Sequence, residues 1–264
     1  MTILVGILCT NGVVIASDGM ASMNLGTTPF VGHSNLKTHV IDNKVIIACA
    51  GDDNLMTQFV HFFRSNYLEY SKKHELQQSS SIFTLMHELS SQFAQDIINA
   101  IKQYPDELTN NLLQQINNNG FDFNAIVGAP FNGKHYIFQY DTFLRPHMLR
   151  ENGIWHIILG SGHLVGNPSI HLVKKILNIK AQPEIDRGQI LAYWTISHAI
   201  EVSSGGIGGE ITTAVLQKIN GQYSASIENK VSEHKSFIED MYNYIGKYGN
   251  SIDENSSIQE IPKL

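Results

Sequence analysis

A chain of 264 residues with 42% apolar and 9% aromatic content can bury a full core, and its size favours one large domain, 1–264, over two. Its 18 Lys and Arg against 24 Asp and Glu give a formal charge of −6 without a basic run, which excludes a nucleic-acid footprint. No segment approaches transmembrane length and no signal peptide is legible at the start, so a membrane is excluded as a partner and a cytoplasmic location is expected.

Cys9 and Cys49, the two cysteines, lie in apolar strand-like runs and read as buried free thiols. Ile3 to Cys9 and Val13 to Ser17 flank Thr10-Asn11-Gly12, the strongest short hairpin signal, and the second strand ends at Ser17-Asp18-Gly19. Residues 19–36 are rich in Gly, Ser, Thr and Asn and read as a loop or a loose pair of strands, with Lys37 just after them. A second hairpin turns at Asp42-Asn43 and stops at Gly51-Asp52-Asp53, where Asp53 or Asn54 can cap a helix carrying Leu55, Phe59, Phe62 and Phe63.

Ser81 caps the next helix, whose Ile82, Leu85, Leu89, Phe93, Ile97 and Ile101 share one face up to Pro105. Asp106 to Asn119 reads as a short polar helix or an inserted loop. Strands are expected over Phe123 to Ala129, His135 to Tyr140, Phe143 to Leu149 and Ile154 to Leu159, the last running into Gly160-Ser161-Gly162. Helices over Ser169 to Leu177 and Asp186 to Val202 lead to Ser203-Ser204-Gly205-Gly206, then a hairpin at Asn220-Gly221 and a helix over Phe237 to Tyr248. Residues 230–264 form a C-terminal extension with a polar tail. Grouped rather than alternating strands and helices argue for an α+β domain of packed antiparallel sheets covered by helix pairs.

Thr2, Asp18, Lys37, Ser161 and Ser204 all fall at strand or helix ends. If Met1 is removed, Thr2 carries its own base, because its free α-amine sits beside its hydroxyl. The set then supplies a nucleophile, a cation to lower its pKa, a carboxylate to hold the cation and hydroxyls to relay a proton.

At these positions the chain resembles the proteasome β-type subunits, which are N-terminal-nucleophile hydrolases. The likeness is carried by Thr2-Ile3-Leu4-Val5-Gly6-Ile7, Ser17-Asp18, the spacing from Lys37 to Cys49-Ala50-Gly51, Gly160-Ser161-Gly162 and Ser204-Gly205-Gly206. It implies a four-layer αββα sandwich and a threonine peptidase inside a homo-oligomeric ring or stacked rings. No cofactor and no metal are implied, protein or peptide substrates are, and any ATPase partner stays unnamed.

By the same resemblance Thr2 Oγ attacks a peptide carbonyl, Asp18 orients Lys37, and the Gly51 N–H faces the oxyanion. Ser161, Ser204 and Glu201 support proton transfer, and Ala21, Ser22, Asn35, His39, Cys49 and Asp53 line the pocket for the residue before the cleaved bond. Glu201 stands where the family carries aspartate. The insert between Pro105 and Asn119 and the tail beyond Lys230 are absent from the simplest bacterial member, HslV, which points to the larger Anbu or betaproteobacterial types.

Other classes fit less well. His74-Glu75 and His87-Glu88 lack the second histidine of a zinc-binding HExxH helix, and no CxxC exists. Gly205 to Gly209 follows a helix and precedes a strand, the reverse of a phosphate-binding loop. A non-catalytic ring subunit and an amidase acting on a small molecule through the same nucleophile remain as alternatives.

Overall fold

The computed structural model describes residues 2–25, 28–32, 36–76, 81–149, 153–203, 207–228 and 231–251. The chain divides into two compact units, Met1–Glu228 and Asn229–Leu264. Among its described residues the second holds one amphipathic helix, α6 (Val231–Ser251). The first holds two five-stranded antiparallel sheets, a two-stranded ribbon and five helices among its described residues.

The expected Asn-Gly hairpin is β1 (Leu4–Leu8) and β2 (Gly12–Ser17), and its register places Leu4 opposite Ser17. Both strands are buried on both faces, as suits the middle of a layered fold. The ribbon is β3 (Ala21–Leu25) with β4 (Thr28–Gly32), so the Gly- and Ser-rich stretch is a pair of strands rather than an open loop. Then come β5 (Thr38–Ile41) and β6 (Val45–Gly51), paired through Thr38 opposite Ala48.

Helix α1 (Asp53–Glu75) is capped by Asp52, not by Asp53 or Asn54. Its carboxylate accepts the N–H groups of Asn54 and Leu55 at 2.9 and 3.0 Å, the donors left open at a helix start. Helix α2 (Ile82–Ile101) is capped by Ser81 as the sequence predicts, through the Thr84 N–H at 3.1 Å. Lys73 and His74 of α1 both reach Glu88 of α2, at 2.8 and 2.6 Å, and fasten the pair. The polar segment is a helix, α3 (Asp106–Asn119), with no buried residue.

Next follow β7 (Phe123–Phe131), β8 (Lys134–Tyr140), β9 (Pro146–Met148) and β10 (His156–Leu159). The strand predicted over 143–149 shrinks to β9, because the Asp141 side chain accepts the N–H groups of Phe143 and Arg145 and holds 141–145 as a tight turn, with Leu144 at φ 60°. Helix α4 (His163–Ile176) starts six residues earlier than the sequence suggests: Val165 and Gly166 both donate to the Gly162 carbonyl, and Pro168 forgoes only the bond to the Leu164 carbonyl. Helix α5 (Ile185–Val202), β11 (Thr212–Ile219) and β12 (Gln222–Glu228) complete the unit.

The sheets run β10-β1-β2-β11-β12 and β5-β6-β7-β8-β9. Leu4, Leu8, Val13 and Ile15 of the first meet Ile46, Ala48, Ile126 and Ile137 of the second in an apolar layer between them. Helices α1 and α2 cover the second sheet, where Phe59 lies 4.6 to 5.3 Å from the rings of Phe63, Phe93, Phe123 and Tyr140. Helices α4 and α5 cover the first sheet, Gly188 of α5 closing on Cys9, Val14 and Ile7 and Gly166 of α4 on Ile3 and Ile158. The architecture is the expected four-layer αββα sandwich of two antiparallel sheets covered by helix pairs.

Candidate active site

Asp18 and Lys37 are fully buried, at 0% and 3% exposure, and lie against each other: Lys37 Nζ donates to Asp18 Oδ1 at 2.8 Å and to the Met20 carbonyl at 2.6 Å. The β1–β2 register decides where this pair sits. With Leu4 opposite Ser17, Asp18 falls opposite Ile3, donates its N–H to the Ile3 carbonyl at 3.2 Å and accepts the Ile3 N–H on Oδ1 at 2.9 Å. Its other oxygen, Oδ2, accepts the Gly208 N–H at 3.3 Å. A buried carboxylate that accepts three donors from three parts of the chain is well compensated.

Burial lowers the pKa of Lys37 from its ordinary value, while Asp18, and at longer range Asp53, pull it back up. The lysine can therefore give up its proton below the usual lysine range. Its backbone is fixed as well, since the Lys37 carbonyl accepts the Cys49 N–H at 3.0 Å. Next to it the Thr38 hydroxyl donates to Ser17 Oγ at 2.8 Å and ties the two sheets together beside the pair.

Thr2 is held from its other side by the turn after β10. Its N–H donates to Ser161 Oγ at 3.1 Å and its carbonyl accepts the Gly162 N–H at 2.9 Å. Gly160 has φ +83°, and a Cβ there would run into the Thr2 carbonyl, so the first glycine of Gly-Ser-Gly is required for the turn to approach Thr2. The threonine is thus gripped by the Ser161 turn on one side and, through Ile3, by Asp18 and Lys37 on the other.

Gly51 ends β6 at φ +124°, opposite Phe123, and a Cβ there would strike the Asp122 carbonyl. Gly51→Ala is expected to lower the unfolding free energy by about 2 kcal/mol or more, from backbone strain alone, in urea titrations of mutant and wild type.

Of the predicted pocket residues, Cys49 is fully buried on β6 and Asp53 opens α1, close enough to Lys37 to be felt electrostatically. His39 is half-buried on β5, and burial, with Arg64 and His61 nearby, lowers its pKa. Burial likewise raises the Cys49 thiol well above its ordinary value, so it is no nucleophile. Ala21 and Ser22 lie on β3, with side chains outside the described residues, as are Asn35 and Ser204 altogether. Glu201 is exposed in the last turn of α5.

Sequence reasoning missed the Ile3 N–H, the Met20 carbonyl, the Gly208 N–H and the Thr38–Ser17 contact. Three of these involve backbone atoms, which every residue carries, so side-chain identity gives no signal for them. Among the described residues no three His, Cys, Asp or Glu converge as metal ligands would, and no helix is long and apolar enough to cross a membrane.

Residues 2–103 match the family model described as "Proteasome subunit", the stretch that contains Thr2, Asp18, Lys37 and Gly51. Over that stretch the chain is similar to proteasome subunits. Its fold resembles that of the solved structure of Anbu (ancestral beta-subunit) from Yersinia bercovieri, with a TM-score of 0.61 over 97% of this chain and 99% of that one. At 13% identity that likeness is one of fold. No curated protein matches the sequence. The matched segment supplies Thr2 and the Asp18–Lys37 pair, while Ser161 and Gly208 come from beyond it.

Proposed function

We propose that this proteasome-type chain is a threonine peptidase whose nucleophile is Thr2, exposed by removal of Met1. The observation that carries the reading is the buried Asp18–Lys37 pair, anchored through the Ile3 N–H directly beside Thr2. Lys37 lowers the pKa of the Thr2 hydroxyl. The freed α-amine, within 3.1 Å of Ser161 Oγ, takes the proton as Thr2 Oγ adds to the peptide carbonyl. The Gly51 N–H faces the oxyanion. The amine then protonates the leaving amine, and water cleaves the ester that remains, returning the hydroxyl proton to Thr2. Glu201 and Ser204 assist proton transfer, and His39, Cys49 and Asp53, with Ala21, Ser22 and Asn35, receive the side chain before the cleaved bond. The family supports assembly into a closed homo-oligomeric ring of this type, in which peptides are cut out of contact with bulk protein.

Intact mass of the purified protein, alone and after reaction with an epoxyketone peptide, tests the reading. A mass lower by one methionine residue and one probe adduct per chain are expected. Retained Met1 on the folded protein, or an adduct elsewhere than Thr2, overturns it. A native mass equal to one chain at micromolar concentration overturns the ring separately.

The pH profile follows from the two titrating groups. The α-amine must be neutral, so kcat/KM climbs through its ordinary range of about 7.7 to 8.0. Lys37 must be charged, so kcat/KM falls again on the alkaline side, earlier than an ordinary lysine would dictate because burial lowers its pKa. Lys37→Arg keeps its proton throughout and is expected to lose the alkaline limb while retaining the acid one.

A further inference from the structure

The segment after α5 draws notice for its glycines, Gly205-Gly206-Ile207-Gly208-Gly209, which suit no phosphate site. Residues 207–210 pack backbone to backbone against Gly19 and Met20, immediately after Asp18. A Cβ on Gly19 would stand 2.6 Å from the Glu210 carbonyl oxygen and 3.1 Å from its nitrogen. A Cβ on Gly209, at φ +77°, would stand 2.9 Å from the Gly19 carbonyl carbon and 3.0 Å from the Met20 nitrogen. All four obstacles are backbone atoms of the facing segment, which no rotamer change relieves. The contact brings Gly208 within hydrogen-bond reach of Asp18 Oδ2, at 3.3 Å, while Met20 holds Lys37 through its carbonyl.

We infer that residues 207–210 form a latch that positions the Asp18 carboxylate, and through it Lys37, with Gly19 and Gly208 as its positioning residues. Asp18 Oδ1 is shared between Ile3 and Lys37, so rotation of the carboxylate would loosen both. The Gly208 N–H on Oδ2 opposes that rotation. The seat for the N–H exists because Gly19 has no side chain and lets Glu210 close down.

This rests on the peptidase reading for its effect on turnover, but not for its geometry. The test is the titration of Lys37, followed by NMR with lysine labelled at its ε carbon, in wild type, Gly19→Ala, Gly208→Pro and Gly208→Ala. Gly19→Ala displaces the latch and Gly208→Pro removes its donor; both are expected to loosen Asp18 from Lys37 and make Lys37 lose its proton at lower pH. Gly208→Ala keeps the N–H and meets only the flexible end of Met20, so its Lys37 titrates as in wild type. In turnover, Gly19→Ala lowers kcat by about ten- to hundredfold with KM little changed, the cost of slight misplacement in a reacting group. An unmoved Lys37 titration in Gly19→Ala overturns the latch.

If the variants fail to fold, wild type decides: the Gly208 amide proton shift must follow the Asp18 carboxyl carbon as that group is titrated, and a Gly208 amide that ignores it overturns the latch. Titrations need no turnover. A protein inert toward peptides with a shifted Lys37 keeps the latch and removes the peptidase, and an active one with an unmoved Lys37 does the reverse.

Discussion

Thr2→Ala is expected to abolish peptide hydrolysis, by about 10⁴-fold or more in kcat/KM, while leaving the fold and the native mass unchanged. The size follows from the chemistry. A covalent mechanism loses its first bond-forming step along with the hydroxyl, and about 5 kcal/mol or more of transition-state stabilisation goes with it. The fold survives because only the threonine side chain changes, whereas Thr2 is held through its backbone N–H and carbonyl, to Ser161 and Gly162. Thr2→Ser separates role from presence: it keeps a nucleophile beside the same amine and is expected to retain labelling by the epoxyketone at a reduced rate. Progress curves on a fluorogenic peptide, with native mass and thermal unfolding alongside, check all three. Activity that survives in Thr2→Ala sinks the threonine mechanism and leaves another nucleophile.

Much of this arrangement was legible beforehand, for identifiable reasons. The Asn11-Gly12 turn fixes the β1–β2 register, and the register alone carries Asp18 to Ile3 and so to Thr2. The spacing from Lys37 to Gly51 is that of one hairpin, β5 and β6, which returns the chain to the same edge. Ser81 and the apolar stripe after it announce α2 because cap and periodicity agree. The cap of α1 is Asp52 rather than Asp53 or Asn54, since three candidates stand in Asp52-Asp53-Asn54 and only geometry tells which side chain faces the open N–H groups. Helix α4 extends six residues before the expected Ser169, because Pro168 within it forgoes only the bond to the Leu164 carbonyl. What no residue type announces is the backbone's part in the site: the Ile3 and Gly208 N–H groups and the Met20 carbonyl depend on how distant segments meet. Gly208 and Gly209 are visible in the sequence, but the use of Gly209 is steric, and only the facing Gly19 gives it meaning.

Asp18→Asn carries the largest stability effect expected. The carboxylate neutralises a buried lysine and accepts the N–H groups of Ile3 and Gly208, and an amide can accept on one side only. A charge left unpaired in the interior costs about 3 to 5 kcal/mol, a large share of the 5 to 15 kcal/mol that holds a domain together. The pH dependence identifies the cause. In the folded protein Lys37 already has a pKa below its unfolded value, because burial outweighs Asp18; without Asp18 it falls further. Between that folded value and the unfolded one the unfolded chain binds more protons, so stability rises with pH across the window. The deficit of Asp18→Asn relative to wild type is therefore expected to shrink between pH 7 and pH 9 in urea titrations. A deficit that is constant over this range would mean that lost hydrogen bonds, rather than the stranded charge, dominate. The double variant Asp18→Asn with Lys37→Met removes the charge as well and is expected to recover part of the loss, while remaining inactive toward peptides. That outcome would show the ion pair to be retained for its chemistry at Thr2 rather than for what it adds to the fold.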